Sequence, residues 1–320
     1  MEFIGKIKFF TALFLGILVL NSCSNDDDDS TPIVTDNTIT SIASRTDNLS
    51  VLVQALTKAD LAITLKGNGP YTVFAPTNAA FNTFLTANGF ANLDAVPVAT
   101  LKEILLNHVV SGSIQSSSLT TGYVKTLGKG SASSTNTLSM FVNTSNGVRL
   151  NGVSSVTTAN ILASNGVIHV VDAVIGLPTV VTHATANPNF SSLVGVLTGA
   201  GQPDFVGILS GTGPFTVFAP TNTAFTNLNT ELAPGGIAGV STANLTKVLQ
   251  YHVVSPANVL SNTLTNNQSV TTILGQNFTV NLSPSRITDV NARVSNITAV
   301  DVQCSNGVIH VLDKVLLPSF

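Results

Sequence analysis

The sequence predicts an α+β fold built twice in tandem. Three repeated blocks predict it. "GPYTVFAPTNAAF" (Gly69–Phe81) recurs as "GPFTVFAPTNTAF" (Gly213–Phe225), with eleven of thirteen positions identical and an offset of 144 residues. "LKEILLNHVV" (Leu101–Val110) recurs as "LTKVLQYHVV" (Leu245–Val254) at the same offset. "SNGVIHVVDAV" (Ser164–Val174) recurs as "SNGVIHVLDKV" (Ser305–Val315) at an offset of 141. Strand-type and helix-type blocks therefore follow the same order in both halves. A unit of about 140 residues is domain size rather than solenoid size.

The first block is a strand, a stop and a helix start. Tyr71–Phe74 alternates and is rich in β-formers, so it reads as a strand. Pro76 has no N–H for a ladder and ends it. Thr77-Asn78 and Thr221-Asn222 mark the start of a capped helix, the threonine hydroxyl accepting from N–H groups of the next turn. Phe81, Phe84 and Leu85 fall on one helical face, and Asn88-Gly89 stops the helix. In the second copy Phe225, Leu228 and Leu232 make that face. The glycine-rich "GNGPYT" and "GTGPFT" lack the Lys-Ser/Thr of a phosphate loop.

The second block is helical. Leu101, Ile104, Leu105 and His108 are spaced i, i+3, i+4 and i+7, as are Leu245, Val248, Leu249 and His252. Both histidines lie on the apolar face, where a satisfied core histidine is the expectation. Asn107 and Tyr251 are rotated one position away and are expected to be partly exposed.

The third block opens with Asn165-Gly166 and Asn306-Gly307, a hairpin signal because Asn-Gly tolerates positive φ at both turn positions. A strand follows, Val167–Val171 and Val308–Leu312. His169 and His310 share one face of it, and Asp172 and Asp313 fall on the other. Within one strand these residues form no catalytic dyad. They are expected to be polar groups bonded to backbone or to a neighbouring element.

Composition narrows the function classes. Of 320 residues, 44% are apolar and 9% charged, the opposite of a disordered chain. The formal charge is −3 with no basic cluster, which argues against a nucleic-acid partner. Trp is absent and Tyr occurs three times, so an aromatic sugar-stacking platform is disfavoured. Two cysteines and five scattered histidines offer no metal-ligand spacing, so neither a metal nor a cofactor is expected. No G-x-S-x-G elbow or H-E-x-x-H motif occurs, and the chain is not expected to be an enzyme. Cys304, beside an apolar strand, reads as a buried inert thiol.

The chain begins with Lys6 and Lys8 ahead of an apolar run, Phe9–Leu20. Twelve residues fall short of the roughly 20 needed to span a bilayer, and the pattern is that of a secretory signal. "LNSC" (Leu20–Cys23) resembles a bacterial lipobox, which implies cleavage after residue 22 and acylation of Cys23. An ordinary secretory signal with a chance cysteine is the alternative. Asp26, Asp27, Asp28 and Asp29 repel one another and make a solvated tether over 23–36. They also resemble the export signal of Bacteroidetes-type surface lipoproteins. That implies a lipid bilayer as partner through Cys23, and an outer-membrane anchor facing the cell surface, with a periplasm-facing anchor as the alternative. Asp29-Ser30-Thr31 resembles a short O-glycosylation motif of such bacteria.

"TVFAPTNxAF" at Thr72–Phe81 and Thr216–Phe225 resembles the first block of the fasciclin domain family. "NGVIHVVDAVIGLP" (Asn165–Pro178) and "NGVIHVLDKVLLP" (Asn306–Pro318) resemble its last. The resemblance implies domains over 37–178 and 179–320, each a β-sandwich-like core wedged against several α-helices. It further implies adhesion or extracellular-matrix contact, with a cell-surface or matrix protein or polysaccharide as partner. The family carries a tyrosine–histidine element, linked in animal members to receptor binding. Tyr251-His252 matches it, whereas the first copy has Asn107-His108. The leading expectation is a non-catalytic adhesion module. Capture of an envelope glycan or small ligand is the alternative, and a plain surface spacer is the bland one.

Overall fold

The computed structural model describes residues 36–320, of which residues 37–320 form one compact unit. Cys23 and Asp26–Asp29 lie outside the described residues. Among the described residues no helix is long and apolar enough to cross a membrane.

In the first repeat the strands are β1 Tyr71–Pro76, β2 Val109–Ser111, β3 Gly122–Gly130, β4 Ser133–Asn143, β5 Arg149–Leu150, β6 Ser154–Ala163 and β7 Gly166–Val171. Its helices are α1 Ile39–Ser44, α2 Ser50–Lys58, α3 Ala62–Lys66, α4 Asn78–Ala87 and α5 Val98–Asn107. In the second repeat the strands are β8 Phe215–Pro220, β9 Val253–Val254, β10 Gln268–Thr271, β11 Asn277–Leu282, β12 Ser285–Thr288, β13 Val294–Cys304 and β14 Gly307–Leu312. Its helices are α6 Val180–Ala186, α7 Ser191–Leu197, α8 Phe205–Ser210, α9 Asn222–Glu231 and α10 Thr242–Tyr251.

The α+β class is as the sequence implies, and the sandwich-like core takes a specific form. The seven strands of the first repeat close into a barrel, and those of the second make a seven-stranded sheet of the same connectivity. The first-block strand is paired on both sides in each. β1 runs parallel to β7 and antiparallel to β2, and β8 runs parallel to β14 and antiparallel to β9. Alternation on β1 sends Val73 and Ala75 to the helices and Phe74 into the barrel. Each repeat therefore has two apolar clusters on opposite faces of one sheet. Leu52, Phe81, Leu101 and Leu105 fill the helical side of the first, and Met140, Val142, Leu150 and Ile175 fill its barrel.

The hairpin register corrects the Asn-Gly reading. Ala163 pairs with Gly166, and Cys304 with Gly307, so the turn residues are Ser164-Asn165 and Ser305-Asn306. Each glycine is the first strand residue. At Gly166, with φ +152°, a Cβ would lie 1.9 Å from the Tyr71 carbonyl oxygen, and at Gly307 one would lie 2.1 Å from that of Phe215. Glycine is required there by the close approach of the parallel strand.

Candidate functional site

The threonine caps form as the sequence predicts. Thr77 Oγ1 accepts from Ala80 N at 3.2 Å, and Thr221 Oγ1 from Ala224 N at 3.3 Å. The next residue does more. Asn78 Oδ1 accepts from Val51 N at 2.9 Å while its Nδ2 donates to Asp47 O and Ser50 Oγ, tying α4 to the start of α2. Asn222 repeats this with Ser192 N, Pro188 O and Ser191 Oγ.

The turn asparagines are tethers of the same kind. Asn165 Oδ1 accepts from Ile39 N at 2.9 Å, and its Nδ2 donates to Leu65 O and Gly67 O, each at 2.8 Å. Asn306 makes the matching set with Val180 N, Leu209 O and Gly211 O. One side chain thus holds the start of one helix and the end of another on the hairpin. Thr72 and Thr216, within the repeated strands, had no assigned role in the sequence reading. Each donates its hydroxyl to a loop carbonyl (Gly112, Ala257) and accepts a loop N–H (Ile114, Val259). Recurrence of a polar residue at a strand position that proves fully buried was the available signal.

The helix-end histidines are core residues. His108 caps the C-terminus of α5. Its Nδ1 donates to Ile104 O at 2.7 Å, and its Nε2 accepts from Ile175 N at 2.9 Å. His252 repeats this with Val248 O at 2.7 Å and Leu316 N at 2.9 Å. The backbone N–H assigns the proton to Nδ1, so both rings are neutral. Burial lowers each pKa to about 4.

Asn107 and Tyr251 depart from the expected partial exposure: both are 0% exposed. The segment that follows each helix end folds back over it. Asn107 Nδ2 donates to Gly176 O at 2.9 Å, and its Oδ1 accepts from Thr126 Oγ1 at 3.2 Å. Tyr251 meets Phe278 edge-on with ring centroids 6.0 Å apart. Its hydroxyl donates to Asn277 O at 2.7 Å and accepts from Val290 N at 3.2 Å, pinning two loops. Desolvation pushes its pKa up to about 12. The Tyr251 side chain offers no area to a partner and acts on the surface only through those loops, where Ile273 and Val290 are exposed.

The strand histidines and aspartates stay apart. His169 Nε2 bonds Ile114 O at 2.9 Å and its Nδ1 accepts from Asn160 N, while the ring stacks on Phe74. His310 Nε2 bonds Val259 O at 2.8 Å and its ring stacks on Phe218. Asp172 accepts from Ser155 N, and Asp313 from Asn296 N, each at 2.7 Å. Each aspartate locks the far end of the preceding strand. Cys304 is fully buried, and desolvation raises its pKa, so a thiolate is disfavoured. Among the described residues no group of three metal-ligating side chains converges.

The fasciclin domain model matches residues 47–178 and 188–318. "Protein sll1483" of Synechocystis sp. is 36% identical over 140 residues, covering 44% of this chain and 73% of that protein. Human stabilin-1 is 34% identical over 173 residues, 50% of this chain but 6% of stabilin-1. Human periostin is 28% identical over 261 residues, 79% of this chain and 29% of periostin. The chain thus spans a small part of those two human proteins. The solved domain pair of the insect cell adhesion molecule fasciclin I matches the fold with a TM-score of 0.51 at 19% identity, over 84% of this chain and 97% of that one. With both halves of the chain matched, and with its own repeats in the same order, the protein belongs to the fasciclin domain family and carries two such domains in tandem.

Proposed function

We propose that the chain is a non-catalytic adhesion module, held on the cell envelope by lipid at Cys23 and displayed at the surface beyond its aspartate tether. The observation that carries this reading is that the polar side chains of the repeated blocks are consumed by the scaffold. Thr72, Asn78, Asn165, His108 and their counterparts spend their bonding capacity on groups of their own domain, most of them backbone. Contact is then left to exposed surfaces. Lipid anchoring sets many copies on one face, so weak contacts add by avidity. Likeness to the insect adhesion molecule supports the reading at the level of fold.

Capture of a free small ligand has less support. Two enclosed pockets of the second domain have volumes of about 40 and 30 Å³ and are lined almost wholly by apolar side chains. Ordinary ligand pockets hold roughly 300–1,000 Å³ and enclose most of the ligand; the hollows of that size here, about 420 to 560 Å³, lie open to solvent.

The test is attachment and aggregation of cells lacking the gene, complemented with the wild-type chain or with Cys23→Ser. Loss on deletion, rescued by wild type and not by Cys23→Ser, is expected. Wild-type attachment by the deletion strain rejects the reading.

A further inference from the structure

The two domains are docked through the β3–β4 hairpin of the first and α6 with the β13–β14 turn of the second. Ala132 N and Ser131 Oγ both donate to Ser305 O, at 2.9 and 3.0 Å. Gln303 N donates to Ser139 Oγ at 3.0 Å, and Lys125 Nζ to Asp301 O at 2.8 Å. Gly130 lies so close that a Cβ would be 2.3 Å from Ser305 Cα. Tyr123 is the wedge. It packs against the second domain's helical core, and its hydroxyl accepts from Asn187 Nδ2 at 3.2 Å. Phe141 backs its ring at 5.1 Å, and its other contact is His183 on α6, edge-on at 5.3 Å and 81°.

His183 is the anomalous residue of this junction. It is 0% exposed, and its ring lies beside the Ser139 backbone. Neither ring nitrogen has a hydrogen bond of acceptable geometry. The other four histidines each bond at least one backbone group. The repeat itself shows what the position ordinarily holds. The Asn165–Ile39 and Asn306–Val180 bonds equate Ile39 with Val180, and three residues on, Ile42 with His183. A titratable ring therefore stands where the first domain has an apolar residue.

We propose that the docked junction is pH-responsive, and that protonation of His183 releases the two domains from each other. An imidazolium at this site is a buried charge with no counter-charge beside it. Lys125, from β3, opposes it. No carboxylate nearby compensates, and the Ser139 backbone beside the ring offsets only part of the desolvation. The Asp301 carboxylate is taken by Ser261 N and Oγ, and Tyr123 and Cys304 are neutral, each with its pKa raised by burial. Of the elements packed on α6, α7 and the Pro188–Phe190 turn carry no titratable side chain. Asp204 caps α8 through Gly207 N, and His310 on β14 bonds Val259 O.

Burial lowers the His183 pKa from 6.5 to about 3; the Ser139 backbone opposes the shift and the Lys125 charge adds to it by a smaller amount. The docked state holds the neutral ring, so its advantage is complete above about 6.5 and shrinks as pH falls towards 3. One proton is linked to release, so the docked-to-released ratio falls by up to about tenfold per pH unit in that window.

The test is small-angle scattering with far-ultraviolet circular dichroism from pH 7.5 to 4.5, on the chain from Ser24, which contains the whole compact unit. The wild-type maximum dimension is expected to grow progressively as pH falls from about 6 to 4.5 with the dichroism unchanged, whereas His183→Ile stays compact. Constant wild-type dimensions overturn the proposal. So does expansion of His183→Ile over the same range, or expansion accompanied by loss of dichroism. Should His183→Ile not fold, ring-nitrogen resonances of the wild type decide. A ring that stays neutral while the domains are docked supports the proposal, and one that protonates near pH 6.5 without a change of shape overturns it.

Discussion

Asn165 accepts, at 2.9 Å, the backbone N–H of Ile39, which lies 126 residues earlier in the chain. Asn306 and Val180 repeat the relationship at 3.0 Å across the same separation. In each domain one amide, half-buried at Asn165 and buried at Asn306, joins the first helix, the end of another helix and the last hairpin. Asn306→Ala leaves one N–H and two carbonyls unpaired and should cost about 2–4 kcal/mol of unfolding free energy. Urea denaturation measures it. A loss within the roughly 0.5 kcal/mol of a neutral surface change would remove the tether from the account.

The helix-end histidines give the fold an acid limit. In both His108 and His252 the second proton has to enter at Nε2, which already accepts a backbone N–H. Their pKa values are lowered to about 4 from 6.5, so their contribution is complete above 6.5 and lost as pH falls towards 4. At full protonation the loss is about 3 kcal/mol per histidine. The urea midpoint should therefore be flat from pH 7 to 8 and drop between 6.5 and 5. A midpoint constant to pH 5 contradicts the buried neutral assignment.

Tyr251→Phe keeps the packing on Phe278 and removes the bonds to Asn277 O and Val290 N. The expected cost is about 1–2 kcal/mol, with faster amide exchange confined to the 272–277 and 289–293 loops. Unchanged exchange there would mean that the hydroxyl does not hold the loops.

The helical side of the second domain leaves a small space. A cavity of about 40 Å³ sits among Phe225, Leu228, Leu249 and Val248, and the position of Val248 is held by Ile104 in the first domain. Val248→Ile should add up to about 1 kcal/mol, the transfer value of one methylene. Thermal unfolding tests this, and destabilisation would show the site already full.

Much of this architecture is written locally. The strand, the Pro76 stop and the Thr77 cap depend on neighbours within a few residues, and the apolar spacing placed His108 and His252 inside. What the sequence does not carry is partners far along the chain. Asn165 reads as a turn residue until Ile39 is seen to donate to it. Tyr251 reads as rotated off the apolar face, because helical spacing knows nothing of the loops that later cover it. The junction is hidden for a further reason. Tyr123, Ser139 and His183 lie outside the repeated blocks, and their meaning depends on how one domain meets the next.

The proposed function is contact through exposed surfaces. The most direct measurement is binding of the chain from Ser24 to immobilised envelope and matrix polymers, with Tyr251→Phe and free oligosaccharides run alongside. The account predicts saturable binding to an immobilised protein or polysaccharide, retained by a folded Tyr251→Phe variant. Saturable binding of a small free oligosaccharide with no binding to any surface would contradict it.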